Sequence, residues 1–196
     1  MSRPCFVIPA LLVSLSAGTG AIAQTADRRP AFEVVIDNRS SAAGSEVAVA
    51  RSRAGFIFAE AGIRVAFVMK RDGVALAAAG HDLIHVVVLD QDQAARLIPA
   101  DVTSLGFALP AAGRVYVHYD RVYALARSHG VQPGWFLGMV MVHELVHVLL
   151  PRAGHANTGV MARALSPDPR GPIAFTREES LALRERLRGE TILAQR

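Results

Sequence analysis

The sequence is almost without cysteine: Cys5 is the single thiol in 196 residues, and it precedes the first apolar stretch. Once that leading segment is removed no disulfide can form, so stability must come from a packed core, a bound ion, or both. A long uninterrupted apolar run is also missing. The stretch from Phe6 to Leu15 comes nearest, but Pro9 and Ser14 interrupt it, and it is far shorter than the roughly 20 residues of a spanning helix. With Arg3 ahead of it and Ala21-Ile22-Ala23 behind, it has the form of a secretory leader over residues 1–23, cut before Gln24; a retained anchor is the alternative. Basic tracts are absent too. The net charge of +4, from 21 Lys+Arg against 17 Asp+Glu, comes from scattered arginines, which argues against a nucleic-acid partner. No internal repeat or low-complexity tract divides the chain. The expected mature unit is therefore one domain over residues 24–196, secreted or periplasmic, monomeric, and free of the membrane after leader cleavage.

What is present is apolar, with hydrophobic residues making up 52% of the chain, enough for a sizeable core. "FEVVID" (32–37) alternates and is β-branched, which predicts a strand. From Ser45 to Ala61, Val47, Ala50, Ala54, Ile57, Phe58 and Ala61 recur at three- and four-residue steps, predicting an amphipathic helix capped by Ser45 and ended by Gly62. "IRVAFVM" (63–69), "LIHVVVLD" (83–90) and "GRVYVHYDRV" (113–122) supply three further strands, the second apolar enough to lie inside a sheet. A helix begins at Pro133, apolar nearly all round and therefore central, and stops before Pro151. A last helix opens on the capping box Thr176-Arg177-Glu178-Glu179 and carries Leu181, Leu183 and Leu187. The fold class that follows is α+β: a mixed, mostly parallel sheet of four to five strands, a long helix packed on it, a buried second helix and a C-terminal helix.

The buried helix holds the unusual residues. "MVMVHELVHVLLPRAGHANTGVM" (139–161) places three histidines and a glutamate on and just after a segment otherwise suited to burial. His143 and His147 are four apart, so both rings project from one helix face and can reach one ion. Glu144, one step round, can reach a water on that ion without being a ligand, which is the logic of H-E-x-x-H. Zinc held this way needs a third protein ligand and an open position. Pro151 ends the helix, Gly154 permits a reversal, and His155 follows at once as the candidate. Glu144 would then take a proton from the water that attacks a polarised carbonyl and pass it to the leaving amine.

These residues resemble the metzincin zinc endopeptidases: His143-Glu144-x-x-His147, a histidine just after a glycine, and then Gly159-Val160-Met161 in the place of a methionine-bearing turn. The order of strands and helices is similar as well. The resemblance implies a secreted metallopeptidase acting on peptides or proteins, with Zn2+ held by His143, His147 and His155, Glu144 as general base, and Met161 as the turn methionine beneath the metal. The sequence departs from H-E-x-x-H-x-x-G-x-x-H, since Leu150 and Ala153 stand where that pattern has glycine and histidine, and Gly154 and His155 come later. Arg163 occupies a place where some metzincins carry tyrosine. With no thiol after the leader, latency by a cysteine switch is excluded.

Other assignments compete. Glu178 or Glu179 could be the third ligand from a later helix, although the capping box already accounts for Glu179. His85 and His118 fall in strands and read as sheet histidines, while His81 and His129 fall in solvated turns. Trp135 and Phe136 read as core, and Met161 alone could be plain packing. Tyr119, Arg152 and Arg163 are candidates for stabilising an oxyanion, with nothing local to choose between them. The rival functions are a non-catalytic module with the same three-histidine site and a metal-free domain with a histidine-rich core.

Overall fold

The computed structural model describes residues 30–70, 83–97, 104–168 and 174–194; the expected leader and His81 lie outside them. One five-stranded sheet organises the chain, in the order β2-β1-β3-β5-β4. Strands β1 (Phe32–Asn38), β2 (Val65–Met69), β3 (Leu83–Leu89) and β5 (Arg114–His118) run parallel to their neighbours. Only β4 (Gly106–Leu109) runs antiparallel, pairing with β5 from Gly106 opposite Val117 to Leu109 opposite Arg114. This matches the expected α+β, mostly parallel arrangement.

Alternation along the strands sorts the two faces. Phe32, Val34 and Ile36 of β1, Ile84, Val86 and Val88 of β3, and Val115 and Val117 of β5 enter the main core. On the other face Val87 and Leu89 form a smaller cluster with Ala94 of α2 (Gln91–Leu97), flanked by Phe107 and Tyr116 stacked at 4.9 Å.

The main core is closed by α1 (Gly44–Glu60) and α4 (Pro133–Leu149). Helix α4 is buried almost throughout, as its uniformly apolar surface requires. Its Gly134 and Gly138 lie directly against α1: a Cβ on Gly134 would stand 2.5 Å from the carbonyl oxygen of Glu46, and one on Gly138 2.6 Å from that of Ala50. Glycine spacing on α4 therefore sets how closely the two helices approach. Helix α5 (Arg177–Ala194) opens on the expected box: the Glu179 N–H donates to Thr176 Oγ1 at 3.1 Å and the Thr176 N–H to Glu179 Oε2 at 2.8 Å. Leu183 and Leu187 reach the core, whereas Leu181, expected beside them, is 44% exposed.

Two expectations are corrected. Helix α1 begins before Ser45: Ala43 is the cap residue, and its N–H donates to Glu46 Oε2 at 3.1 Å, a carboxylate doing what the serine hydroxyl was expected to do. The segment expected as one strand over 113–122 is the shorter β5 followed by α3 (Tyr119–Ser128), because Tyr119, Val122 and Ala126 bury at helical spacing. Strand β4, joined to β5 by a short 3-10 turn at Pro110–Ala112, has no counterpart in the sequence reading. No helix among the described residues is long and apolar enough to cross a membrane.

Gly138→Ala tests the helix contact. Alanine is intrinsically better than glycine in a helix by about 1 kcal/mol; overpacking against Ala50 is expected to reverse that sign and lower stability by about 1–3 kcal/mol. The check is a shift in denaturant midpoint at unchanged slope.

Candidate metal centre

Helix α4 delivers the first two imidazoles one turn apart, their ring centroids separated by 4.8 Å. The third comes from the segment after Pro151: the His155 ring lies 5.2 Å from that of His143 and 4.9 Å from that of His147. The three rings form a nearly equilateral group, and one nitrogen of each lies within 4.8 Å of the others. His143 and His147 approach through their Nε2 atoms, 3.2 Å apart. Two nitrogens bound tetrahedrally to one zinc at its usual bond length sit about 3.3 Å apart, so this pair already has ligand spacing.

The orientation of His143 is fixed from behind. Its Nδ1–H donates to the carbonyl oxygen of Val160 at 2.8 Å, which selects the tautomer whose Nε2 lone pair faces His147. Val160 and Met161 are themselves fully buried in the main core. The turn carrying them is closed by Gly159, which adopts φ +81°, and a Cβ there would press to 3.0 Å on the carbonyl oxygen of Ala174. Directly after His155, the Ala156 N–H donates to Met161 O at 2.7 Å and the Arg163 N–H to Ala156 O at 3.2 Å. One turn thus supports His143 and holds the backbone beside His155. Gly154, expected to permit the reversal before His155, does not adopt positive φ; the left-handed glycine of this segment is Gly159.

Burial controls the electrostatics. It draws the His143 pKa down to about 4, helped by the neighbouring His147 and His155 and opposed by the Val160 hydrogen bond. Burial, with His155 beside it, lowers His147 as well. Both shifts favour the neutral imidazoles that a metal ion requires. Glu144, 7% exposed, is pushed up to about 7 by burial alone. It packs against β4, where a Cβ on Gly106 would lie 3.0 Å from its Cγ and 3.2 Å from its Oε1. A larger residue at 106 would displace the carboxylate.

The group opens into a cleft of about 710 Å3. Ser104 to Ala108 and Pro110 border it, as do Leu125, Val140, Pro151 and Arg163 to Leu165. The sequence reading missed the contribution of β4; the only local signal is Gly106, a glycine inside a short alternating segment.

The remaining candidates separate clearly. Glu179 is engaged in the cap of α5, and neither it nor Glu178 joins the histidine group. His85 and His118 stay in the sheet outside the cleft lining; His118 is 5% exposed, with Nε2 unpaired and its pKa lowered by burial and by Arg121. His129 is exposed at the end of α3, its ring against Leu125 O and Ser128 Oγ. Phe136 is fully buried, whereas Trp135 is half-buried beneath the Arg53 guanidinium. Among the oxyanion candidates, Tyr119 is tied by its hydroxyl to Glu46 Oε2 at 2.5 Å and Arg152 does not line the cleft; Arg163 does.

No protein-family model matches this chain, and no curated protein sequence matches it. Solved structures do. The archaemetzincin of Methanopyrus kandleri superposes with a TM-score of 0.55 at 14% identity, over 80% of this chain and 96% of that one. A zinc-dependent peptidase from Methanocorpusculum labreanum aligns with a TM-score of 0.47 at 14% identity, over 78% of this chain and 99% of that one. The chain has the fold of the archaemetzincin.

The buried ionisable groups predict how the metal-stripped protein responds to pH. His143 has a folded pKa below its unfolded one, so its stability contribution is present above about pH 6.5 and is lost as the pH falls toward 4. Glu144 acts oppositely: its contribution is present below about pH 4.5 and is lost as the pH rises through 7. Glu144→Gln removes the opposing group, so in chelator the variant should show a steeper acid loss of stability below pH 6.5 than the wild type. Thermal midpoints across pH 4–8 measure the difference; parallel curves would contradict it.

Proposed function

We propose that this chain is a zinc-dependent metallopeptidase of metzincin type, hydrolysing peptide bonds in peptide or protein substrates. The observation that carries the reading is the convergence of His143, His147 and His155 on one point, with Glu144 beside them at the wall of an open cleft. The archaemetzincin fold is consistent with it. In this reading the three histidines are the ligands, Glu144 is the general base, and Met161 is the turn methionine that supports the site without binding metal.

The donor set suits zinc: three imidazoles, two of them drawn toward the neutral state by burial, one orientated by a carbonyl, and a cleft that leaves a further position open. Zinc held there supplies Lewis acidity that polarises the scissile carbonyl and acidifies water. The protein supplies the rest. Glu144, desolvated and confined against Gly106, takes a proton on its carboxylate and returns it to the leaving amine nitrogen. Because β4 is the terminal strand of the sheet and lines the cleft, its outward N–H and C=O groups can pair with an extended peptide and align the bond to be cut. The leader over residues 1–23 would send the enzyme, as a monomer, to the periplasm or the exterior, where the absence of further thiols leaves core and metal to stabilise it.

Glu144→Gln separates an enzyme from a module that merely holds metal. Turnover of a broad peptide mixture is expected to fall by about 100-fold or more, while zinc stays near one per chain by elemental analysis. His155→Ala should lose most of its zinc affinity in a chelator competition. Retention of both zinc and activity by His155→Ala would mean that another group is the third ligand.

A further inference from the structure

Apart from the histidines and Glu144, the cleft is bordered by small or apolar residues, among them Leu105, Phe107, Leu125, Val140 and Leu165. Arg163 is the exception, and the proposed proton transfers give it no task. It is the single arginine or lysine that lines the cleft among the described residues. Its side chain is exposed and forms no ion pair or hydrogen bond among the described residues, in contrast to Arg39 and Lys70, which both pair with Asp37.

A few backbone bonds place this arginine. The Arg163 N–H is bonded to Ala156 O, and Ala156 is bonded in turn to buried Met161, so Arg163 is anchored next to His155 by the turn that supports His143. Glu144 approaches from the β4 side, packed on Gly106. Base and cation therefore belong to different borders of one cleft, and Glu144 is the only carboxylate lining it among the described residues. A guanidinium beside apolar walls favours a partner that accepts two parallel hydrogen bonds and carries negative charge. Among the described lining residues no further carboxylate is present to meet it, so a ligand can supply that partner. The positive net charge of the chain would also draw in anionic peptides.

We infer that Arg163 is a specificity-determining residue that binds a carboxylate of the substrate, so that the protein selects acidic peptides. This rests on the peptidase reading. The carboxylate is either an Asp or Glu side chain near the cleaved bond or the C-terminus of a short peptide; the guanidinium chemistry is the same for both.

The test uses the zinc-loaded full chain and matched peptide pairs: Glu against Gln at each position flanking the cleaved bond, and free against amidated C-termini. In one class of pair the carboxylate-bearing peptide should show a kcat/KM about tenfold higher or more, mostly through KM. A gain with internal Glu identifies a side chain as the source, and a gain with the free terminus identifies the terminal carboxylate. Arg163→Gln should bring that ratio to about one, Arg163→Lys should retain part of it, and Arg163→Glu should reverse it toward a Lys-bearing peptide. A wild-type ratio near one for every pair would overturn the inference. So would Arg163→Gln lowering kcat equally for both members of a pair with the ratio intact. If the wild type cleaves nothing, binding of the same pairs to the Glu144→Gln chain decides. A carboxylate preference that disappears on adding Arg163→Gln keeps the subsite and rejects only the peptidase; no preference rejects both.

Discussion

The hydrogen bond from His143 Nδ1–H to the carbonyl of Val160 joins the two segments on which the candidate centre depends. On one side is α4, a buried helix whose position is set by α1 and the sheet. On the other is the turn through Gly159, Val160 and Met161, which sits deep enough in the core for Val160 and Met161 to be fully buried. Because an imidazole has only two nitrogens, committing Nδ1 to this bond decides what Nε2 can do. It is left as a lone-pair donor 3.2 Å from its counterpart on His147. The same turn pairs with Ala156 and so reaches the third histidine. One bond thus couples the rigid part of the site to its looser part.

Close approach is the second constraint, and glycine provides it in two places for different ends. Gly134 and Gly138 let α4 lie against the backbone of α1, which seats the helix deeply enough to bury His143 and Glu144. Gly106 lets Glu144 lie against β4, where even a methyl group would press on the carboxylate and on Tyr116 O. Burial of this carboxyl opposes folding while it is ionised, which is the meaning of a pKa pushed up to about 7. A cation held by the three histidines would act in the other direction, because opposite charge favours the carboxylate. The fold accepts the desolvation of Glu144 beside the three histidines, where the proposed reaction would need a proton acceptor.

How much of this can be read from the sequence depends on range. The four-residue spacing of His143 and His147, Pro133 and Pro151 at the ends of α4, and the Thr176–Glu179 box are local signals, and each appears in the structure at its expected place. Strand β4 is not legible, because four residues at a sheet edge carry almost no period of their own and are defined by pairing with β5. The end of β5 is hidden for another reason. Val115, Val117 and Tyr119 continue an alternation while Tyr119, Val122 and Ala126 begin a helical one, so Tyr119 satisfies both patterns. Gly154 and Gly159 flank the third histidine and look equivalent in sequence. Only the packing of Gly159 under Ala174, in a distant segment, shows which adopts the left-handed conformation.

The centre is graded in its rigidity. His143 is 8% exposed and fixed on both sides, His147 is half-buried, and His155 is exposed and follows a segment with no regular secondary structure. Its backbone is restrained mainly through the neighbouring Ala156, whose two bonds to Met161 and Arg163 form a small bridge rather than a sheet. Segments held by few bonds open at low free-energy cost, whereas α4 opens only with the core around it. Binding of an ion by all three imidazoles would therefore add most of its stabilisation to the His155 turn, since the two histidines of α4 are already in place. With no thiol available after Cys5, such an ion would serve this turn as a disulfide cross-link serves other chains. Ordering of that turn also determines where Arg163 stands, so metal occupancy and the shape of one border of the cleft are linked through the same few backbone bonds.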